Sequence, residues 1–287
     1  MLKNKRIAFI GAGSMAEAMI AGIASTGKIP QNQIIVSNRS NQERLKQLET
    51  KYGIKGTTSG DLDFSLIDII ILAMKPKDAH RALQSIRDSI QPHHIILSVL
   101  AGITTSFIEN YFPTGQQVIR VMPNTSSMIG ESATGISSGK YTLHQNMMIA
   151  KELLESIGKV YVMTEDKMDL FTGIAGSGPA YFYYLMEHME KQAAEGGLSE
   201  ETARQIIAQT IFGAAKMILE QNETPAVLRN NVTSPNGTTA AGLKALHLHG
   251  AGMAIKMAVQ EAAARSKEMT KQLVESPVTD KLKISLD

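Results

Sequence analysis

Short apolar runs punctuate the first half of the chain, each separated from the next by room for a helix. Ile7-Ala8-Phe9-Ile10, entered from Lys5-Arg6, is the first, and Gln33-Ile34-Ile35-Val36-Ser37 the second. Ile67 to Met74 is a β-branched third, stopped by Lys75-Pro76; Ile95 to Val99 follows, then Gln117 to Val121, ended by Met122-Pro123. Such runs, bounded by turn formers, predict strands. Between them a small-residue helix is expected from about Ser14 to Ala24, a polar one from Gln42 to Tyr52, and a third from Lys77 to Ser89. Strands alternating with helices predict an α/β fold, a Rossmann-type doubly wound parallel sheet. The last strand signal is Val160-Tyr161-Val162, and from Lys167 the pattern is almost wholly helical, broken by a turn at Gly196-Gly197. The expected organisation is therefore an α/β domain over residues 1–163 and an all-helical domain over 164–287, with a loose polar tail from Glu275.

Composition adds exclusions rather than a function. The 287 residues suit two domains, and 43% hydrophobic with 20% charged residues is ordinary for a globular protein. A formal net charge of +2 is too small to argue for nucleic-acid or membrane partners, and none is expected. There are no cysteines, which removes disulfides, zinc thiolates and thiol catalysis and suits a reducing compartment. No stretch approaches the roughly twenty apolar residues of a membrane helix. The first strand begins within a few residues of Met1, so no leader peptide is expected and a cytoplasmic location is.

The first strand runs straight into Gly11-Ala12-Gly13-Ser14-Met15-Ala16, and a helix follows. Strand, G-x-G-x-x-A and helix in that order form a dinucleotide-binding fingerprint. Gly11 allows the tight turn, Gly13 lets a pyrophosphate approach the backbone near Ser14 and Met15, and Ala16 packs helix on strand. An enzyme for NAD usually ends the second strand with an acidic residue for the ribose diol. Here that strand runs into Asn38-Arg39-Ser40. Arg39 can make paired bonds to a 2′-phosphate, with Asn38 and Ser40 adding neutral ones, which predicts NADP(H), with NAD(H) as the weaker alternative. The plainer reading is a polar loop that meets only solvent.

Ligands on such sheets sit beyond the carboxyl ends of the strands. Three segments lie there: Ala73-Met74-Lys75-Pro76, Ser98 to Gly102, and Arg120 to Thr125. Each alone reads as a strand stop; together they suggest a ledge for a nicotinamide ring, with Asn124 and the backbone near Ala101 and Gly102 fixing its amide. In the helical half, Ser234-Pro235-Asn236-Gly237-Thr238-Thr239 opens directly into the helical pattern Ala240 to Leu246. Free N–H groups at a helix start bind anions such as carboxylates, although the same residues also suit an ordinary N-cap. The seven histidines show no metal-ligand spacing, and the sixteen methionines read as core or interface filler.

These residues resemble the pyrroline-5-carboxylate reductase family over nearly the whole length. The resemblance rests on Gly11-x-Gly13-x-x-Ala16, Ala73 to Pro76, Arg120 to Thr125, Gly176-Ser177-Gly178-Pro179-Ala180-Tyr181 and the Ser234–Thr239 loop. It implies reduction of L-1-pyrroline-5-carboxylate to L-proline by hydride from NADPH, the last step of proline synthesis. It also implies an all-helical domain interleaved between two subunits, and often a larger ring of dimers. In that family Gly237-x-Thr239 begins the helix that binds the substrate carboxylate. Asn236 stands where many members have glycine; asparagine tolerates left-handed backbone, so the turn is expected to survive. Thr239 is the candidate proton donor, with the N–H groups of Gly237 and Thr238 and the Ser234 hydroxyl for the carboxylate.

Two other readings share the fold. A β-hydroxyacid dehydrogenase places a catalytic lysine four residues after the last glycine of the second-domain motif; here that residue is Phe182. A non-catalytic NADP-binding regulator would have no use for the Ser234–Thr239 loop. The predicted helix from Ala251 to Gln272 carries Met253, Met257, Val259 and Ala262 to Ala264, an apolar face too large for a wetted monomer surface. An obligate dimer is expected, each active site drawing on both chains, with a monomer packing that helix internally as the alternative.

Overall fold

The computed structural model describes residues 2–275. Its sheet has eight strands: β1 (Ile7–Ile10), β2 (Ile34–Asn38), β3 (Lys55–Thr58), β4 (Ile69–Leu72), β5 (Ile95–Ser98), β6 (Gln117–Met122), β7 (Ser132–Ser138) and β8 (Gly158–Val162). They lie in the order β3-β2-β1-β4-β5-β6-β7-β8. The first six are parallel, the doubly wound Rossmann order, whose reversal point falls between β1 and β4. Helices α1 (Ser14–Thr26), α2 (Gln42–Tyr52) and α5 (His144–Leu154) cover one face; α3 (Ala79–Ile86) and α4 (Thr105–Glu109) cover the other.

Alternation along each strand explains why the runs are continuously apolar. Ile7 and Phe9 point into the core with α1, α2 and α5, whereas Ala8 and Ile10 point into the core with α3 and α4. A strand covered on both faces has no polar side to show. The structure departs from the sequence reading in two strands. β3 (Lys-Gly-Thr-Thr) and β7 (Ser-Ala-Thr-Gly-Ile-Ser-Ser) carry no apolar run, and neither was expected. β7 also runs antiparallel to β6, so the sheet is not wholly parallel. The physical reason is the link: a short connection cannot make the crossover that a parallel pair needs, whereas α5 supplies one between the parallel strands β7 and β8.

After β8 come α6 (Met168–Phe171), a π-helical turn over Thr172–Gly176, and then α7 (Gly178–Glu195), α8 (Glu200–Glu220), α9 (Pro225–Asn231), α10 (Thr238–Leu248) and α11 (Ala251–Glu275). The chain forms two compact units: one takes it up to Gly176 and again from Glu261, the other is Ser177–Gln260. This division falls later than the expected boundary at 163/164, and the far half of α11 returns to the sheet-bearing unit. The expected loose tail, beyond Glu275, lies outside the described residues. Within Ser177–Gln260 only Gly178, Ala203 and Ile207 are buried. Phe182, Tyr183, Tyr184, Phe212 and Leu248 are each more than half exposed. Among the described residues no helix is long and apolar enough to cross a membrane.

Candidate active site

In the sheet-bearing unit the glycine loop sits where β1 and β4 end side by side. Gly11 has φ +113°, and a Cβ there would stand 2.7 Å from the backbone of Ala73 and Met74. No other residue fits both that conformation and that approach. The Gly11 N–H donates to the Ser37 carbonyl at 2.9 Å, and the Ala73 N–H to the Ile10 carbonyl at 2.9 Å. Gly13 begins α1 without a side-chain cap, and a Cβ on it would meet nothing nearer than the Ala73 carbonyl at 4.0 Å. Gly13 and Ser14 are exposed, Met15 half-buried and Ala16 fully buried. The space a pyrophosphate requires is therefore open, beside uncapped helix N–H groups.

At the end of β2, the Asn38 Oδ1 accepts from the Ser40 N–H at 3.3 Å, so Asn38 shapes this loop. Arg39 and Ser40 are exposed, and the Arg39 guanidinium has no partner among the described residues. That leaves Arg39 available to a phosphate. Sequence reasoning missed its neighbour Arg44, whose Nε donates to the Ala12 carbonyl at 3.1 Å and whose Nη2 pairs with Glu17. Glu17 also takes Lys51 at 2.9 Å and the Tyr52 hydroxyl at 3.0 Å. The bonds from Arg44 and Lys51 hold its carboxyl down at about 2.

Along the other strand ends Ala73 is buried, Met74 and Pro76 are half-buried, and Lys75 is exposed. Ala101 is half-buried. Gly102 has φ +69°, and a Cβ there would stand 2.8 Å from the Met269 Cβ and 2.9 Å from the Ser266 carbonyl. Its bareness admits α11 against the sheet. The Asn124 Nδ2 donates to the Ala175 carbonyl at 3.0 Å, and its Oδ1 accepts from the Ser126 N–H at 3.0 Å. Each end of this buried amide makes one such bond, so Asn124 braces the loop.

One buried charge in this unit was also missed. Arg120 is 1% exposed in the middle of β6 and donates to Asp169 at 2.8 Å, the oxygen that the Ser266 hydroxyl also reaches at 2.8 Å. Glu165 lies 3.7 Å away and is held by the Thr105 N–H and hydroxyl at 2.8 and 2.7 Å. The cluster ties β6, α4, α6 and α11 together, because a buried guanidinium must be paired. A lone arginine inside the run Gln-Val-Ile-Arg-Val-Met was its one sequence signal. No group of three or more His, Asp or Glu suited to a metal occurs among the described residues.

In the helical unit the predicted loop forms one tight turn. Pro235 takes the second position, and Asn236 the third at φ +58°, the pattern of a type II turn. The Gly237 N–H closes it onto the Ser234 carbonyl at 3.1 Å. That bond corrects the expectation that this N–H faces a carboxylate; the open ones belong to the first residues of α10. Gly237 is the N-cap, its backbone extended, with no side-chain cap bond. An ordinary Ser/Thr N-cap is thus absent. Thr238 is exposed and Thr239 half-buried as the second residue of the helix. Ser234, Asn236, Gly237, Thr238 and Thr239 are all brought into this turn.

A Rossmann sheet with an open glycine loop, an exposed arginine just after β2 and a separate helical unit defines a dinucleotide-dependent oxidoreductase plan. Residues 6–102 match the family described as NADP oxidoreductase, coenzyme F420-dependent, and residues 165–269 match pyrroline-5-carboxylate reductase dimerisation. The chain is 58% identical over 270 residues to pyrroline-5-carboxylate reductase 1 of Bacillus subtilis, covering 94% of this chain and 91% of that protein. It is 35% identical to pyrroline-5-carboxylate reductase of Methanosarcina acetivorans, over 94% of this chain and 100% of the other. The crystal structure of Plasmodium falciparum pyrroline carboxylate reductase with NADP bound superposes with a TM-score of 0.85 at 27% identity, covering 94% of this chain and 100% of that one. The Coxiella burnetii pyrroline-5-carboxylate reductase does so at 0.82 and 31%, covering 93% and 99%. The chain belongs to the pyrroline-5-carboxylate reductase family.

Proposed function

We infer that this chain reduces L-1-pyrroline-5-carboxylate to L-proline, closing proline biosynthesis. The observation that carries the reading is the Ser234–Thr239 turn: a helix start left without a side-chain cap, in a member of this family. The open N–H groups of Thr238 and Thr239 and the Ser234 hydroxyl take the substrate carboxylate. Bound NADPH supplies the hydride. A protonated imine is already electrophilic, so the residues need only hold the ring, exclude misorientation and manage one proton. The Thr239 hydroxyl relays a solvent proton to the imine nitrogen; hydride then adds to the imine carbon, the C=N π pair collapses onto nitrogen, and nitrogen keeps that proton in the product.

The nucleotide is read by Gly11, Gly13, Ser14 and Met15 at the pyrophosphate, and by Arg39 with Ser40 at the 2′-phosphate, the loop being shaped by Asn38. Ala73, Met74, Lys75, Pro76, Ala101 and Gly102 form the ledge, and Asn124 braces it. NADPH is the preferred donor and NADH the weaker one. Residues 164–287 act as the substrate-binding and dimerisation domain. The near absence of buried residues in Ser177–Gln260 supports an obligate homodimer whose active sites draw on both chains; the larger ring of dimers rests on the family resemblance alone. We place the enzyme in the cytoplasm, with no nucleic-acid or membrane partner. Decay of NADPH absorbance on adding the imine, with proline as product, tests the activity. Absence of turnover with that substrate, alongside intact NADPH binding, would leave only a nucleotide-binding protein.

A further inference from the structure

Arg44 joins the two nucleotide-reading loops, and neither loop's motif contains it. It stands in the first turn of α2, where its own N–H is held by the Asn41 Oδ1 at 2.9 Å, just after the Asn38–Ser40 loop. From there its Nε reaches the carbonyl of Ala12, the residue between the two motif glycines, at 3.1 Å. In a trans peptide the C=O and the following N–H point in opposite directions. Fixing the Ala12 carbonyl toward α2 therefore turns the Gly13 N–H away from it, toward the open side of the loop. Gly13 itself is exposed, so that N–H is presented rather than buried.

The other arm of the same guanidinium pairs with Glu17 in the first turn of α1. A carboxylate so near the helix start would repel a pyrophosphate. Arg44 and Lys51 together offset it, and Tyr52 holds it in place. Two of the three guanidinium nitrogens of Arg44, Nε and Nη2, are thereby committed to protein groups, whereas the Arg39 guanidinium has no partner among the described residues.

We propose that Arg44 is a positioning residue for the nucleotide pyrophosphate: it aims the Gly13 N–H and masks Glu17, and it takes no part in reading the 2′-phosphate. This rests on the reading of Gly11–Met15 as the pyrophosphate loop. Its consequence separates it from Arg39, because the pyrophosphate is common to NADPH and NADH and the 2′-phosphate is not.

The test is fluorescence titration of the full-length protein with NADPH and with NADH. Arg44→Met should weaken both by the same factor, on the order of tenfold, the size carried by one lost hydrogen bond to a charged group. The preference for NADPH should stay within about threefold of wild type, a residual that salt screens. Arg44→Lys restores charge beside Glu17 without the planar fork and should recover part of the loss for both. Arg44→Lys also decides the matter if Arg44→Met does not fold. Loss confined to NADPH would overturn the proposal, placing Arg44 on the 2′-phosphate. Unchanged affinity for both would overturn it as well, leaving a structural brace, whatever the melting temperature. Wild-type protein that binds neither nucleotide would refute the underlying loop reading, an outcome distinct from normal wild-type binding with indifferent variants.

Discussion

Replacing Gly237 with alanine separates substrate binding from everything else the fold does. The backbone at Gly237 has φ −78° and ψ 172°, extended values that alanine adopts without strain. The new Cβ would stand 2.4 Å from the Ser234 Oγ, and the nearest backbone atom, the Ser234 carbonyl, is 3.2 Å away. A hydroxyl on a single rotatable bond can yield by moving to another staggered rotamer, so the turn survives. What would be lost is the place beside the carboxylate that the proposed site gives the Ser234 hydroxyl. A hydrogen bond to a charged group contributes about 1.5–3 kcal/mol, and each 1.4 kcal/mol is tenfold, so KM for the imine should rise roughly 10- to 100-fold. The melting temperature and the NADPH Kd should hold. Ser234→Ala should give the same rise, and the double variant should be no worse than either, the non-additivity expected of one shared contact. Steady-state kinetics with varied imine at saturating NADPH, beside thermal melts, measures all of this. An unchanged KM, or additive losses in the double variant, would refute the assignment of Ser234.

Three further outcomes follow from other residues. Arg39→Ala should raise the NADPH KM about tenfold or more and leave NADH nearly unchanged, as loss of charge-assisted bonds to the 2′-phosphate requires; equal losses for both nucleotides would contradict it. Thr239→Ala should lower kcat about 10- to 1,000-fold, less at lower pH where more imine is already protonated, with Thr239→Ser recovering much of the rate and Thr238→Ala milder. A change in KM alone would make Thr239 a binding residue. His94 is fully buried, its Nδ1 accepting from the Gln91 N–H at 2.9 Å and its Nε2 donating to the Phe64 carbonyl at 3.0 Å, and burial pushes it below its ordinary 6.5. The unfolded chain then takes up a proton near 6.5 that the folded state refuses. Its contribution is complete above that pH and is lost as pH falls through the lower folded value. Urea melts should show an acid slope that flattens in His94→Gln; an unaltered slope would assign the loss elsewhere.

What the sequence made legible was whatever depends on neighbours along the chain. β1 with its glycine loop reads from Ile7 to Ala16 because an apolar run, a turn and a helix start are all local signals. The Ser234–Thr239 turn reads for the same reason, down to the left-handed Asn236. β7 does not, because Ser132–Ser138 is buried by small polar residues whose burial depends on the elements around it. Arg44 and Arg120 could be seen as residues but not as partners: Glu17, Asp169 and Ser266 lie far off in sequence, and only folding makes them adjacent. The Gly237 N–H shows the converse error. It is a polar group near a site, and it is spent on closing the turn that bears it, a choice that hydrogen-bond geometry makes and residue type does not.

The central claim is that hydride passes from NADPH to the imine carbon of a ring held by its carboxylate. It is tested most directly with NADPH carrying deuterium at the transferable position of nicotinamide C4. Proline isolated after turnover and read by mass spectrometry and proton NMR should contain one deuterium, on the ring carbon that was the imine carbon. Proline with no deuterium, or with deuterium at the carboxylate-bearing carbon, would contradict the account.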